Sequence, residues 1–310
     1  MNSILTNTPQ TKGITNLVKT NIPHYKDQSY LTKHDEFLQI YAITKQQFEE
    51  KTIHAFRYFC YRYIESLQYL QLPEVPSVSK YEAVLIEFRC FPHLEFLIRN
   101  AIHKLGKEWS HTIVCGNTNH AMVSAICSRI SPNIRILKLP YENIDINVYN
   151  SDICLNIEFW KQLQGQKILL YQEDTMIFRN TIASFLNYDY IGAPWKISNT
   201  EISDHLVGNG GLSLRSKHTM IEILEKIPDK KIFKDRVFKH SSGTTLDLPP
   251  EDVFFTYVMK KHTIGNLAKK DVAELFSSEL IQNRLSFGGH AFFLFDAKWK
   301  RRMYKHIDNS

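Results

Sequence analysis

The stretch Tyr81-Glu82-Ala83-Val84-Leu85-Ile86-Glu87-Phe88 reads as a short apolar strand, and the pattern on its carboxyl side decides the fold. Pro92 suits the first turn of a helix. Leu94, Leu97, Ile98, Ala101, Ile102 and Leu105 then recur at spacings of three and four before Gly106 ends the run. Strand and helix alternate again downstream. His111 to Cys115 reads as a second strand, Met122 to Ile130 as a helix and Ile134 to Leu139 as a third strand. A helix over Ile153 to Leu163 leads to a fourth strand, Lys167 to Tyr171. Such alternation predicts an α/β fold, a Rossmann-type, mostly parallel sheet with helices on both faces.

Upstream of this pattern the chain changes character. Residues 1–32 are rich in Thr, Asn, Lys and Pro without periodicity and read as a flexible or draped arm. Thr44 and Gln47 have the spacing of a capping box. It opens an amphipathic helix with Ile53, Phe56, Cys60, Tyr63, Ile64, Leu67 and Leu70 on one face, so 33–78 reads as a helical extension. The main domain then spans 79–295, and 296–310 is a basic, polar tail. With 310 residues, 43% hydrophobic and 23% charged, the chain has globular composition. No apolar run approaches the ~20 residues of a membrane span, and the first residues lack a signal-peptide layout. The expectation is a soluble, cytoplasmic protein, or one in the host cytoplasm or virion if its source is viral. Five dispersed cysteines without a C-x-x-C pair read as reduced thiols. The net charge of +6 is compatible with a phosphate-bearing ligand. The absence of a basic stripe with interleaved aromatics argues against nucleic acid.

From Asn180 onward the alternation dissolves into short motifs. Ligands of open α/β sheets bind outside the carboxyl ends of the strands, which draws attention to Gln172-Glu173-Asp174-Thr175 after the fourth strand. That tetrapeptide reads equally as a hard-oxygen site for Mg²⁺ or Mn²⁺ and phosphate, or as a solvated turn capped by Thr175. Glycine is scarce, with 12 in the chain. Half of these fall in three patches, at Gly192, at Gly208, Gly210 and Gly211, and at Gly288 and Gly289. Positions of that kind serve close backbone approach or a structural bulge. Pro249-Pro250-Glu251-Asp252 opens a helix, where carboxylates are kept ionised by the helix dipole and suit a general base. Ordinary N-terminal helix charge is the plainer alternative.

Taken in order, Gln172 to Thr175, Tyr188-Asp189-Tyr190-Ile191-Gly192-Ala193-Pro194-Trp195, Gly208 to Arg215, Glu251-Asp252-Val253-Phe254-Phe255, Phe276-Ser277-Ser278-Glu279 and Gly288-Gly289-His290 resemble an uncharacterised glycosyltransferase-like domain family of bacteria, fungi and large DNA viruses. It is similar in layout to nucleotide-sugar transferases of the GT-A fold. The resemblance spans about Tyr81 to His290 and leaves out the first eighty residues. It implies a metal-dependent transfer of a sugar from a nucleotide sugar, a UDP-sugar first, to a hydroxyl of a glycan or protein acceptor. Gln172-x-Asp174 takes the place of an Asp-x-Asp motif, so Asp174 with His290 is implied to hold Mn²⁺ or Mg²⁺. Gln172, a departure from the motif, is implied to touch ribose or sugar. Glu173, Thr175, Glu87 and Arg89 are implied donor contacts. Gly208, Asn209, Gly210 and Gly211, with Trp195 and Asp189, are implied to line the sugar and acceptor pocket. Asp252 is implied as the base of an inverting reaction, with Glu251 beside it. Tyr190 and Trp195 read equally as sugar platforms or packing. Two rivals arise from the same residues: a glycoside hydrolase using Glu251 and Asp174, and a binder made inactive by Gln172.

Overall fold

The computed structural model describes residues 28–195, 207–233, 237–239 and 243–308. The arm expected over 1–32 therefore lies mostly outside the described residues, and its last five residues begin a helix, α1 (Gln28–Ile40). The capping box forms as read, with Thr44 Oγ1 accepting from Gln47 N at 3.1 Å. It opens only a short helix, α2 (Lys45–Glu50), because Lys51 is extended at φ −124°, ψ 110°. The apolar face lies on α3 (Thr52–Arg62) and α4 (Ile64–Gln68), so one expected helix is three.

The alternating region then builds β1 (Tyr81–Ile86), α5 (Leu94–Leu105), β2 (Trp109–Cys115), α6 (His120–Ile130), β3 (Arg135–Lys138), α7 (Ile157–Gln162) and β4 (Lys167–Tyr171). Gly106 ends α5 with a φ of 79°, which a side chain would resist. After β4 come β5 (Thr175–Ile177), β6 (Tyr190–Pro194), β7 (Val207–Ser216), α8 (Lys217–Lys226), α9 (Glu251–His262) and α10 (Lys270–Phe276). The last elements are β8 (Ser277–Ser278), β9 (Gly288–His290) and α11 (Trp299–Asp308).

Six strands form the central sheet in the order β3-β2-β1-β4-β7-β6. The pairs of β1, β2, β3 and β4 are parallel, whereas β7 runs antiparallel to both β4 and β6. The mostly parallel sheet expected from the alternation is thus present. Strand side chains alternate between faces. Ala83, Leu85, Leu169 and Tyr171 join one apolar cluster, while Val84, Ile86, Ile168 and Leu170 join the other. Both faces are buried, which is why these strands read as continuous apolar runs.

The first cluster reaches well beyond the alternating region. Phe56 stacks on Phe293 with centroids 4.5 Å apart. Phe59 meets Trp299 and Tyr304 edge-on. Residues 52–68 and α11 therefore pack into the main core, and the segment expected as a polar tail buries Trp299 and Met303 on one face of a basic helix. Four cysteines are buried, Cys90 is exposed, and all five are free.

A smaller sheet, β8-β9-β5, sits beyond the carboxyl end of β4. In it β8 pairs parallel with β9, and β9 antiparallel with β5, placing His290 opposite Thr175. These strands are two or three residues long. They carry the late motifs back to the end of the main sheet.

Candidate functional site

The sheet order reverses at β1 and β4, each a neighbour of the other and both ending on the same side. A cleft of about 420 Å³ opens there, at the switch point where α/β sheets bind ligands. Its walls include Arg57 of α3, Glu87 and Arg89 after β1, Asp145 after β3, and Gln172 and Asp174 after β4.

Residues 172–175 form a tight turn after β4, with Thr175 N donating to Gln172 O at 3.1 Å. Gln172 and Asp174 face one way and Glu173 the other. His290 Nε2 lies 3.1 Å from Gln172 Oε1 and 3.2 Å from Asp174 Oδ1. Its other nitrogen, Nδ1, lies 3.4 Å from Glu279 Oε2. Burial disfavours the imidazolium, but Asp174 and Glu279 outweigh it and raise the ring's pKa well above the ordinary value. Asn209 Nδ2 donates to Glu279 Oε1 at 2.9 Å, and Gly211 N donates to Asn209 Oδ1 at 3.0 Å. The His290 ring thus lies within ion-pair distance of both Asp174 and Glu279, while Asp174 Oδ1, Glu279 Oε2 and His290 Nδ1 are buried without a hydrogen bond of good geometry.

The glycine patch explains how these groups come so close. A Cβ on Gly211 would lie 2.3 Å from the His290 ring, and one on Gly210 would lie 2.1 Å from Glu251 Oε1. Only bare backbone lets the imidazole and the carboxylate pack against this strand. Gly208, with φ 136°, accepts from the Tyr190 hydroxyl at 2.7 Å, and a Cβ on it would approach the Trp195 indole at 3.3 Å.

Glu251 and Asp252 diverge as adjacent helical residues must. Glu251 is buried and forms a two-pronged ion pair with the fully buried Arg215, so it is unavailable to a substrate and its expected place beside the base is corrected. Asp252 is half-buried and accepts from Gly210 N at 3.2 Å and Val253 N at 2.7 Å. Its expected ionisation through the helix dipole is also corrected. Burial first, then the charge of Glu251, push its carboxyl up to about 7. Adjacent residues of β7 thus contact Asp252 (Gly210) and His290 (Gly211).

Three other expected contacts change, and the open reading of Tyr190 is settled. Glu173 is turned inward, where Arg57 and His93 bind its carboxylate. Burial would raise its pKa, but those hydrogen bonds hold it well below the usual carboxylate range. It is a counter-ion for cations on the cleft wall rather than a free donor contact. Thr175 donates to Gly211 O at 3.2 Å and accepts from Gln172 N at 3.3 Å, locking the turn as a cap does. Asp189 lies at the far end of the sheet, bound by Lys167, Ser216 and Asn266 N, and does not line the pocket. Tyr190 is fully buried against Arg215, so it packs and presents no sugar platform. Glu87 and Arg89 do reach the cleft, as a pair joined at 2.7 Å.

Sequence reasoning assigned no role to Glu279 or Arg57. Glu279 is brought to His290 by a two-residue strand that no periodicity could reveal. Arg57 had a signal: a cation at the apolar phase of α3, four after Ile53 and three before Cys60.

The donor set fits a hard or borderline divalent cation. Asp174 and His290 offer oxygen and nitrogen, and Gln172 Oε1 shares the same ring nitrogen's surroundings. Among the described residues no three His, Cys, Asp or Glu side chains converge on one point. An ion here would complete its shell with ligand oxygens and water. Glu279, on Nδ1, would orient the imidazole.

The chain belongs to the family described as protein of unknown function (DUF5672), whose model matches residues 133–290, from just before β3 to the end of β9. No curated protein matches the sequence. Among solved structures it is similar to the galactosyltransferase LgtC in complex with donor and acceptor sugar analogs, at 9% identity and a TM-score of 0.48, over 74% of this chain and 95% of that one. It is also similar to the inositol-1-phosphate CTP transferase of T. maritima, at 9% identity and TM-score 0.44, over 74% and 96%. A third is the 4-diphosphocytidyl-2C-methyl-D-erythritol synthase of Anaerococcus prevotii, at 13% identity and TM-score 0.37, over 59% and 96%. No described helix is long and apolar enough to cross a membrane.

Proposed function

We propose that this protein is a glycosyltransferase that uses a divalent cation to move a sugar from a nucleotide sugar, a UDP-sugar first, to an acceptor hydroxyl. The observation that carries this reading is the gathering of Gln172, Asp174, Glu279 and His290 beside a cleft at the switch point of the sheet, whose wall carries Arg57 and Arg89 together with carboxylates. Arg57 and Arg89 on the cleft wall suit a diphosphate. Asp174 and His290 would hold Mn²⁺ or Mg²⁺, which supplies neutralisation of the charge that grows on the leaving diphosphate.

Asp252 is the acceptor-side base. Its carboxyl, pushed up to about 7, is poised to take a proton from an attacking hydroxyl near neutral pH. The Gly210 and Val253 N–H groups hold it in place. Gly210 and Gly211 let Glu251 and His290 pack against bare backbone and so set Asp252 and His290 on neighbouring residues of β7. Glu251 is committed to Arg215, which leaves a hydrolase built on Glu251 and Asp174 without its second carboxylate.

The test is release of UDP from a panel of UDP-sugars with Mn²⁺, in the presence and absence of glycan acceptors. Acceptor-dependent release is expected for one donor. Donor protection in a thermal shift with no release under any acceptor would favour the non-catalytic binder. Release that ignores both donor nucleotide and metal would contradict the reading.

A further inference from the structure

A second cavity, of about 310 Å³, lies where α11 meets the loop between β8 and β9, and shares no lining residue with the cleft. It is lined by Arg284, Lys298, Arg301, Arg302 and Lys305, with Asp296 as the one carboxylate among the described residues. Five cations crowd one carboxylate, and that carboxylate is engaged by the Lys298 backbone N–H at 2.9 Å.

Arg302 is the buried member. It stacks on Phe178, 4.0 Å from the ring centroid, and donates to Asn283 O and Ser286 Oγ, each at 2.7 Å. Those bonds account for Arg302 as a staple on the loop. They do not account for the cations gathered around it. Nor do they satisfy its Nε, which is buried without a partner, as is Nε of neighbouring Arg179. Burial, with the nearby charges of Arg179 and Arg284, drives the Arg302 pKa down to about 10 despite Asp296.

We infer that this cavity is a binding site for a phosphate-bearing anion, separate from the cleft at β4. Guanidinium groups match phosphate oxygens in shape and donor geometry, and the cavity holds a phosphoryl group with room for its substituent. Two sources share that chemistry, a soluble phosphate ester and the headgroup of an anionic phospholipid. Leu285, Leu294 and Phe295, exposed at 63%, 55% and 48%, adjoin the lining residues in sequence and give a lipid surface something apolar to meet.

The experiment measures binding of inorganic phosphate by calorimetry in chelator, with sedimentation on phosphatidylcholine vesicles with and without phosphatidic acid as a second arm. Arg284→Gln with Arg301→Gln removes two exposed cations and should leave the melting temperature unchanged. Arg301→Gln alone serves if the pair fails to fold. The parent should bind phosphate or the acidic vesicles saturably, and the variant should lose about tenfold or more in affinity. Leu294→Ser with Phe295→Ser should weaken vesicle binding alone if the source is lipid, and change nothing if it is soluble. Equal binding by parent and cation variants, or no saturable binding to either probe, overturns the inference.

Discussion

At the amino end of β4, Lys167 donates to Tyr188 O at 2.7 Å and Ser216 Oγ at 2.6 Å, and Asp189 is held by Ser216 and by Asn266 N at 2.8 Å. Nearby, buried Glu82 accepts from Thr112 Oγ1 and from the Gln164 and Gly165 N–H groups. At the carboxyl end of the same strand, Asp174, Glu279 and His290 keep buried atoms without hydrogen-bond partners. Both ends bury carboxylates among polar neighbours. Only one end leaves carboxylate oxygens without a hydrogen bond. The difference separates a polar network whose hydrogen bonds are complete from one whose buried atoms lack them, and on the proposed function the second is where a cation and a substrate would bind.

Mutations can break that contrast. The largest effect is expected from Asp252→Asn, which should cut transfer by roughly 10²–10⁴-fold while leaving donor binding and fold intact. The parent's rate should fall about tenfold per pH unit below about 7, since only the deprotonated carboxylate accepts a proton. The sign for stability is opposite to that of an ordinary paired acid. The folded pKa is raised, so Asp252 contributes stability below its unfolded value and loses it as pH rises through about 7. Asp252→Asn should remove that slope from a melting-temperature profile.

Glu251→Gln comes next, and it tests stability instead of rate. It leaves the buried Arg215 guanidinium without its counter-charge, at a cost of about 3–5 kcal/mol. Melting should fall by roughly 6–20 °C, at about 2–4 °C per kcal/mol for a chain above 150 residues. A variant that melts like the parent would show that Glu251 is not the structural partner its geometry indicates.

Glu279→Gln should weaken Mn²⁺ binding by roughly 10–100-fold, the usual effect of losing a group that orients a metal-bound histidine. Titration calorimetry reads it directly, and Glu279→Asp should recover part of the loss. Asp189→Ala sharpens the contrast from the other end. It should lower stability by about 1–3 kcal/mol and leave donor and metal affinity where they were.

Much of the large sheet is legible in the sequence. β1, β2 and β4 are apolar because both their faces are covered, and α5 carries its signal from Pro92 to the positive φ of Gly106. The α2–α3 break is not legible, because the capping box at Thr44 marks a helix start while the apolar face begins only at Ile53, and no glycine or proline marks the extended Lys51 between them. Nor is the small sheet, whose strands are too short for alternation to register. At the site, Asp174, His290 and Asp252 stand out through motif order. Glu279 sits in the same set of motifs without a task, because its value comes from a pairing between β8 and β9 that sequence spacing does not encode. The corrected residues share one cause. Glu173, Thr175, Glu251 and Asp189 are polar residues inside motifs, and a motif does not say which of its side chains turn inward. The tight turn after β4 separates Glu173 from its neighbours, and helical divergence separates Glu251 from Asp252. Asp189 is misplaced by its motif, which begins at the far end of the sheet.

The most direct measurement of the central claim is calorimetric titration of UDP into the protein with Mn²⁺ and with chelator, for the parent and Asp174→Ala. The site at the carboxyl end of β4 predicts binding by the parent that needs Mn²⁺ and is lost or weakened at least about tenfold, or about 1.4 kcal/mol, in Asp174→Ala. Equal UDP affinity in chelator, or in Asp174→Ala, would contradict it.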